Sequence, residues 1–424
     1  MEATAIFLAT YASLLAFPKV RAYIALGSGA LFIVLGILPL EKLIASVDWN
    51  VIMMIAGTMG TVHLFIKSKM PSLMADHIID VMPNVKWVII ALSLFAGIIS
   101  AFVDNVATVL MVAPVALVVA KKLNISPVPA VIAIAVSSNL QGAATLVGDT
   151  TSILLGGAAG MDFLDFFFYQ GKPGLFFVVQ TGAILSALIL LLLFRKQSQS
   201  VKLDEKTTVT DYFPTVLLLG TIVLLILASF IPEKPAVTNG LICLALLAVG
   251  LVREAVRSGK PRESFMETMR EIDFFTLMLL AGLFIVIAGI TEAGVVSAVS
   301  RLFVKLSSGN LFAMYSLIVW ASVFFSAFID NIPYVATMLP VTAGIAQLMG
   351  VDPTILYFGL LAGSTLGGNL TPIGASANIT ALGILRKSGY EVKAGEFMRI
   401  SVPFTLTAVI CGYVMIWLFW GPGI

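Results

Sequence analysis

Long runs of apolar residues, each about as long as a membrane crossing, restrict most strongly how this sequence can fold. The stretch from Leu175 to Phe194 has Gln180 as its only strongly polar side chain. A membrane-spanning helix needs about 20 mostly apolar residues, so this stretch predicts such a helix. Further runs of the same kind lie at 22–40, 49–66, 87–103, 212–231, 237–252, 274–291, 311–328 and 402–420.

The overall composition agrees with a bilayer as the solvent. Of the 424 residues, 59% are hydrophobic and 11% are charged, whereas a soluble domain carries about 25% charged residues. A chain in water could not hide so much apolar surface. We therefore predict an all-α polytopic membrane protein of a prokaryotic plasma membrane, with the lipid bilayer as a partner and no role in binding nucleic acid.

The second half of the sequence repeats the first. When Asp104 is placed over Asp330, an offset of 330 − 104 = 226, no gap is needed from 100 to 152, and several prolines, glycines and threonines coincide. The segments DWNVIMMIAG (48–57) and DFFTLMLLAG (273–282) match at an offset of 225. The domains predicted from this repeat are a first repeat at 1–194, a cytoplasmic linker at 195–211 and a second repeat at 212–424.

The distribution of basic residues predicts that the two repeats have opposite orientations. Lys19 and Arg21 follow the first apolar run of the first half, whereas the basic residues of the second half cluster after its second run, at 253–272. Because basic residues favour the cytoplasmic side, equivalent loops prefer opposite sides of the membrane. Inverted-topology repeats of this kind are typical of secondary transporters. We expect the N-terminus outside and the linker and the loop 253–272 inside.

Each half interrupts its apolar pattern with an Asp-Asn pair, a proline about ten residues later, and a stretch rich in glycine and polar residues. These stretches read SSNLQGAATLVGDTTS and GSTLGGNLTPIGASAN. Within a helix, glycine costs about 1 kcal/mol and proline about 3 kcal/mol relative to alanine. Irregular backbone at membrane depth is tolerated only where it is buried or lines a cavity. We predict re-entrant helical hairpins near 104–125 and 330–350, and broken helices near 137–152 and 363–378.

Asp104, Asp149 and Asp330 are the acids expected deep in the membrane, with no lysine or arginine in the segments around them. A charged residue at the bilayer centre costs about 2.5–3.5 kcal/mol on insertion scales. Such acids imply bound protons, bound cations or a wet cavity, which favours a functional site. The alternative is that they cap helices, and this is most credible for Asp149, because Ala375 takes its place in the second half.

Amides and hydroxyls near these acids are further candidates, since oxygen ligands suit Na⁺. The alternative is that they join helices by hydrogen bonding, which is common in membranes. The candidate ion- or substrate-binding residues besides the three acids are Asn105, Asn139, Thr145, Asn331, Asn369, Thr371 and Asn378. The candidate Na⁺ ligands are Asp104, Asn105, Gly148 and Asp149. No cofactor is expected beyond Na⁺ as a coupling ion.

Four motifs in register, SAFVDN…ATVLMVAPV, SSNLQGAATLVGD, SAFIDNIPYVATMLP and GGNLTPIGASAN, resemble the ion transporter superfamily. The likeness is to its ArsB/NhaD branch, with a citrate-transporter-like domain, which includes bacterial Na⁺/H⁺ antiporters and the P protein. The dicarboxylate/sodium symporters are more distant. The resemblance implies inverted repeats, a homodimer, and a scaffold domain beside an elevator-type transport domain. It places the binding region at 104–108, 139–149, 330–332 and 369–378.

The likeness departs from the dicarboxylate symporters at both hairpin tips. Those symporters have a Ser-Asn-Thr signature there, whereas this sequence has Asp104 or Asp330 first and Val106 or Ile332 third. Two extra carboxylates would repel a dianion, so the pattern resembles the antiporters instead.

These observations predict a secondary active transporter that binds Na⁺, H⁺ or both at midplane carboxylates and alternates access by an elevator-type motion. The cargo is left open between Na⁺/H⁺ exchange and a small ion or oxyanion coupled to Na⁺ or H⁺. Arsenite or a di- or tricarboxylate is the alternative cargo.

Two other classes of function are disfavoured. An intramembrane aspartyl enzyme needs a Gly-x-Gly-Asp element, and the stretch TLVGD has Leu146 where the first glycine should be. No His-Glu-x-x-His or Gly-x-Ser-x-Gly signature occurs either, so we do not expect an enzyme. Broken helices also build ion channels, but the repeat favours a carrier.

Overall fold

The computed structural model describes residues 2–200, 207–209 and 211–422, and this part of the chain is almost entirely helical. The first half contains α1 (Glu2–Ala16), α2 (Arg21–Val34), α3 (Leu43–Ser46), α4 (Trp49–Lys67), α5 (Met70–Val81), α6 (Val85–Ser100), α7 (Asn105–Leu123), α8 (Val128–Gly142), α9 (Thr150–Ala159) and α10 (Leu175–Leu193). The second contains α11 (Phe213–Ala228), α12 (Thr238–Ser258), α13 (Pro261–Glu271), α14 (Phe274–Glu292), α15 (Val295–Leu306), α16 (Leu311–Ser326), α17 (Asn331–Met349), α18 (Thr354–Gly367), α19 (Ser376–Lys387) and α20 (Ala394–Trp420). Two short strands, β1 (Phe168–Tyr169) and β2 (Lys172–Pro173), pair before α10.

The helices have the lengths and compositions that a bilayer requires. Within the described residues, seven are long and apolar enough to cross a membrane by themselves, or up to eight if a bent pair, α15 with α16, counts as one span. A helix of this kind bonds most of its backbone polar groups internally, as the hydrocarbon core demands. This agrees with the predicted polytopic membrane protein.

The starts of equivalent helices are set by the same local chemistry in both halves. The side chain of Asp48 accepts a hydrogen bond from the backbone amide three residues on, at 3.0 Å, and Asp273 does the same at 3.0 Å. Asn84 and Asn310 cap α6 and α16 in the same way, at 3.3 and 2.9 Å. Such N-caps satisfy amides that would otherwise lack a partner, so the repeat includes the signals that begin each helix.

The two halves are interlocked by reciprocal helix pairs. Helix α4 packs along α12, and the equivalent α14 packs along α2. A Cβ at Gly57 would lie 2.5 Å from the carbonyl carbon of Cys243, and one at the equivalent Gly282 would lie 2.6 Å from that of Ala25. Small residues allow membrane helices to approach this closely. Equivalent helices of the two halves thus make reciprocal pairs, while the inversion of the halves across the membrane stays a prediction.

Helices α8 and α18 form the centre of the molecule. All of α18 is buried, and only Pro129 and Ala130 of α8 are more than slightly exposed. Helix α8 is followed by a non-helical segment, 143–149, and α18 by the segment 368–375, which begins with a short 3₁₀ turn. We call these the first break and the second break. Both fall inside or overlap the stretches where broken helices were predicted.

The turns that join α6 to α7 and α16 to α17 lie beside these breaks. They cover 101–104 and 327–330, and we call them the first tip and the second tip. Helices α6 and α7 both pack on α8, as α16 and α17 pack on α18. Each tip is thereby held next to the break of its own half, which brings the Asp-Asn pair to the centre of the fold.

The predicted linker, 195–211, is only partly covered by the structure, because 201–206 and 210 lie outside the described residues. Its last residue, Asp211, accepts hydrogen bonds from both terminal nitrogens of Arg253, at 2.6 and 2.9 Å. These bonds lower the pKa of the Asp211 carboxyl below its ordinary value. The end of the linker is thus anchored to α12, and its predicted cytoplasmic location stays a prediction.

Candidate ion-binding site

The first tip presents one carboxylate and one amide to the interior. One oxygen of Asp104 accepts hydrogen bonds from the backbone amides of Val106 and Ala107, at 3.0 and 3.1 Å, and so caps α7. The buried amide of Asn105 donates to the Asn139 side-chain oxygen at 2.9 Å. The capping bonds use one carboxylate oxygen of Asp104, which leaves acceptor capacity on the other oxygen for a proton or a cation.

The second tip has the same cap but a different partner. Asp330 accepts from the Ile332 amide at 3.1 Å, while its other oxygen lies 2.6 Å from a terminal nitrogen of Arg21 on α2. The Ser376 hydroxyl lies 3.4 Å from that same oxygen. The expectation that no basic residue accompanies these acids is therefore wrong for Asp330. The reason is tertiary, since α2 crosses to the other half.

The first break is pressed against the first tip. The Thr145 hydroxyl donates to the Ala101 carbonyl. A Cβ at Gly148 would lie 2.5 Å from the Gly142 carbonyl oxygen and 2.8 and 2.9 Å from those of Ser100 and Ala101. No side chain fits in this space, so glycine is required. Three carbonyl oxygens surround this position, and oxygen ligands are what Na⁺ prefers.

The second break repeats this arrangement. The Thr371 hydroxyl donates to the Ala327 carbonyl. A Cβ at Gly374 would lie 2.6 Å from the Gly368 carbonyl oxygen and 2.7 and 2.8 Å from those of Ser326 and Ala327. The threonine and the glycine of each break thus fasten it to its tip by the same contacts, as their equal spacing in the sequence suggested.

Several predicted amides join buried elements instead of facing open space. Asn139 donates to the Thr365 carbonyl at 2.7 Å, and Asn369 donates to the Val136 carbonyl at 2.9 Å, so each links α8 to the other half. Asn378 donates to two carbonyls within the second break, both at 3.1 Å. These bonds match the helix-joining alternative.

Asp149 does not behave as the cap that its sequence position suggested. It precedes α9 but makes no side-chain capping bond. Instead, the Thr151 hydroxyl donates to its carboxylate at 2.9 Å, and the residue is 4% exposed. Among the described residues no lysine or arginine forms an ion pair with Asp149 or with Asp104. The first half therefore holds two carboxylates without a basic partner.

A cavity of about 190 Å³ brings these groups together. It lies between the first tip, the start of α9, the second part of α4 and the start of α14. The predicted site residues that line it are Asp104, Asn105, Asp149 and Asn331. The predicted residues that do not line it are Asn139, Thr145, Gly148, Asp330, Asn369, Thr371 and Asn378.

The cavity also contains charged and polar residues that the sequence patterns did not indicate as site residues. Arg21, His63, Glu271, Asp273 and Thr276 also line it. Asp273 and Thr276 lie in the repeated segment DFFTLMLLAG, so the repeat itself marked them, whereas no local pattern around His63 or Glu271 indicated a site. Apart from Arg21, which is engaged with Asp330, the fixed charges of the wall are negative, and such a cavity favours cations.

The described residues contain no group of three or more His, Cys, Asp or Glu side chains that could hold a metal ion by themselves. Carboxylates, amide oxygens and backbone carbonyls are instead the ligands of hard cations. What this arrangement can do chemically is bind and release a proton or a small cation such as Na⁺.

Comparison with known proteins gives the chain its relatives. A family model described as Citrate transporter matches residues 11–363. An uncharacterized transporter of Mycobacterium tuberculosis is 31% identical over 425 residues, which cover 98% of this chain and 97% of that protein. The P protein of Homo sapiens is 26% identical over 497 residues, which cover 97% of this chain and 59% of that protein. These likenesses confirm the resemblance carried by the four motifs, and the bacterial relatives confirm the prokaryotic membrane location.

The fold also occurs among solved structures. The YdaH transporter of Alcanivorax borkumensis superposes with a TM-score of 0.62 at 15% identity, over 89% of this chain and 87% of that chain. At this identity the likeness shows the fold alone. It agrees with the predicted all-helical polytopic fold, while the inversion of the repeats and the elevator-type motion stay predictions.

Proposed function

The chain belongs to the citrate transporter family and is a secondary transporter, and we propose that it binds Na⁺ or H⁺ at Asp104 and Asp149 to drive the movement of a small ion. One observation carries the proposal: these two carboxylates line one cavity, and neither has a basic partner among the described residues. Carboxylates at membrane depth are costly unless they are protonated or bind cations.

Competition between a proton and Na⁺ for the same carboxylates explains how coupling can arise. A carboxylate that faces one side of the membrane releases one ion and then binds the other, so the two fluxes are linked. Backbone carbonyls around Gly148 add neutral oxygen ligands next to Asp149. On this basis Na⁺/H⁺ exchange is our first candidate for the transport reaction.

Anion transport coupled to Na⁺ or H⁺ is the second candidate. It is favoured by the family description and by two donors at the cavity wall, Arg21 and the buried amide of Asn331. The excess of carboxylates argues against a free dianion or trianion and for an anion that enters with its cation. Arsenite and di- or tricarboxylates stay alternatives within this candidate.

Alternating access by an elevator-type motion is part of the proposal. The tips, the breaks and helices α6–α9 and α16–α19 pack on one another, whereas α2, α4, α12 and α14 form a separate set of long cross-half pairs. These two sets correspond to a transport domain and a scaffold. A homodimer that holds the scaffold fixed in the bilayer completes this proposal.

The first test measures transport in proteoliposomes. We expect a Na⁺ gradient to drive proton movement, and Asp104→Asn or Asp149→Asn to reduce it to the level of empty vesicles, because neither variant can hold the competing charge. Asp352→Asn is the matched control, since Asp352 is exposed in the turn before α18 and does not line the cavity. Full activity in both cavity variants would refute the proposal.

A second readout separates binding from transport. A ligand present at about 100 times its Kd stabilises the native state by about 2.7 kcal/mol. Na⁺ should therefore raise the unfolding temperature of the wild type and of Asp352→Asn, but not that of Asp104→Asn. Saturation of the flux and stimulation by counter-ion on the opposite side distinguish this carrier from a channel.

A further inference from the structure

The two halves are related by the repeat but differ in one contact. This contact joins a helix of the proposed transport domain to a helix of the proposed scaffold. In the first half, α9 packs against α4. A Cβ at Gly157 of α9 would lie 2.5 Å from a carboxylate oxygen of Asp48 and 2.9 Å from the side chain of Val51. Nothing larger than glycine fits here without displacing these side chains, so α9 is seated on the start of α4.

The equivalent contact in the second half is open. Gly383 of α19 is the counterpart of Gly157, since 383 − 157 = 226, and a Cβ placed there would have no heavy atom within 4 Å. The counterparts of Asp48 and Val51 are Asp273 and Thr276 at the start of α14, and both line the cavity. Ser376, at the start of α19, lines the same cavity, so the starts of α19 and α14 both border it.

Helices α7 and α17, which follow the two tips, differ in the opposite sense: the close contact is made in the second half and is open in the first. In the second half, a Cβ at Gly344 of α17 would lie 2.6 Å from the hydroxyl oxygen of Ser300, which donates to the Val341 carbonyl at 3.0 Å. In the first half, the counterpart of Gly344 is Val118, which is 56% exposed. Each half thus has one contact made and one contact open, in opposite senses.

From this asymmetry we propose that α19 is a gate that closes the cavity by seating Gly383 on Asp273 and Thr276 while Gly157 leaves Asp48 and Val51. The proposal rests on the proposed transport function. It adds which surfaces meet in the second state of the transport cycle, the state that the structure does not represent. A repeat whose halves exchange conformations produces two equivalent states, so the unoccupied contact of one state is the occupied contact of the other. Gly383 is then needed for the same steric reason as Gly157.

Cysteine pairs test whether the two contacts alternate. Val51→Cys with Gly157→Cys probes the contact that is made, because the Cβ at 157 lies 2.9 Å from Val51 Cγ2, one bond beyond its Cβ. That spacing suits a disulfide, which needs a Cβ separation of about 3.5–4.5 Å. Thr276→Cys with Gly383→Cys probes the open contact. Single-cysteine variants, with native Cys243 and Cys411 retained, are the controls.

We expect both cysteine pairs to cross-link on oxidation in native membranes. Each disulfide should stop transport until it is reduced. In the protein with all four introduced cysteines, the 51–157 disulfide should prevent formation of the 276–383 disulfide. Formation of both bonds in one molecule would overturn the proposal, as would full transport with the 276–383 bond closed. The cross-links are detected on a gel and need no transported ion. A failure to cross-link would therefore count against the gate without bearing on the proposed cation coupling.

A bulky side chain at the gate provides an independent test. Gly383→Leu has room in the described state, so we expect an unchanged unfolding temperature and an unchanged response to Na⁺. Transport should fall about tenfold or more, because the closed contact becomes overpacked. Gly27→Leu is the matched control, since Gly27 also has open space around it and lies on α2. Wild-type transport in Gly383→Leu would refute the gate.

Discussion

The two tips have the same sequence pattern and the same backbone, yet they differ in charge. Asp104 and Asp330 each cap the following helix, Asp104 through the amides of Val106 and Ala107 and Asp330 through that of Ile332 alone, because the next residue, Pro333, has no N–H. Only Asp330 meets a cation, because Arg21 on α2 reaches it at 2.6 Å. At the first tip the corresponding space belongs to the cavity, and Asp104 faces Asp149 and Asp273 there.

This difference teaches that the repeat supplies two tips with an equivalent carboxylate, while the surrounding helices decide which carboxylate gains a basic partner. The carboxylate of the first tip has no basic partner among the described residues, as the proposed binding of a proton or Na⁺ requires. The carboxylate of the second tip is paired with Arg21, and this ion pair joins the second tip to α2. A duplicated site can in this way serve two purposes without a change in the residue that defines it.

Replacing the aspartate by asparagine should have very different effects on stability at the two tips. We expect Asp330→Asn to lower the free energy of unfolding by about 2–3 kcal/mol, because it leaves the partly buried Arg21 guanidinium without its counter-ion. Asp104→Asn should cost less than about 0.5 kcal/mol, since asparagine also caps helices and no cation loses a partner. Thermal unfolding in one detergent compares the two variants.

Arg21→Gln added to Asp330→Asn is the control, and it should recover most of the lost stability because the unpaired charge is removed. Equal destabilisation by the two single Asp→Asn variants would mean that the ion pair does not distinguish the tips.

The two breaks, in contrast to the two tips, should respond alike. Gly148→Ala and Gly374→Ala each push a methyl group into three backbone carbonyls, and we expect each to lower the free energy of unfolding by about 2 kcal/mol. Gly383→Ala, at a position with open space, should leave the stability unchanged. Thermal unfolding of the three variants measures this, and a large effect at only one break would contradict the proposed equivalence.

The smallest effect is expected at an ion pair outside the bilayer, where water screens the charges. Asp211 is itself only 7% exposed, but Arg253 and Arg257, which it binds, are 38% and 44% exposed, so solvent screens the two ion pairs and they contribute less than about 1 kcal/mol. The pKa of Asp211 is lowered, chiefly by the Arg253 hydrogen bonds. Its contribution is therefore complete above the ordinary value of about 4 and is lost as the pH falls through the lower folded pKa.

The unfolding temperatures of the wild type and Asp211→Asn, followed from pH 7 downward, should accordingly differ slightly near neutrality and converge below about pH 4. If Asp211→Asn lowered the unfolding temperature near neutral pH as much as Asp330→Asn does, depth in the membrane would not determine how much these ion pairs stabilise the protein.

Much of the architecture could be predicted from the sequence because it depends on local patterns. The apolar runs indicated the bilayer, and the offset of 226 between Asp104 and Asp330 marked the repeat. The unwinding between Gly142 and Thr150 follows from the glycine-rich stretch there. These features are set by residues that lie within a few turns of one another.

The candidate site was only partly predictable, because its members come from distant segments. Of the predicted residues, Asp104, Asn105, Asp149 and Asn331 share the cavity, whereas the other candidates hold the surrounding elements together. The sequence marks Arg21 only by its charge near a membrane boundary, and its contact with Asp330 appears only in the structure. The capping bonds also fell to Asp104 and Asp330 and not to Asp149.

The sequence by itself determined that the chain lies in a membrane, that it is duplicated, and that each copy places an acid next to an unwound helix. Apolar length, helix caps and the cost of glycine and proline act over short distances, so they can be read along the chain. Only the tertiary structure decided which acid is paired with a cation and which acids share the cavity. Those outcomes depend on contacts such as Arg21 with Asp330, 309 residues apart, where cross-half packing and not local pattern selects the partner.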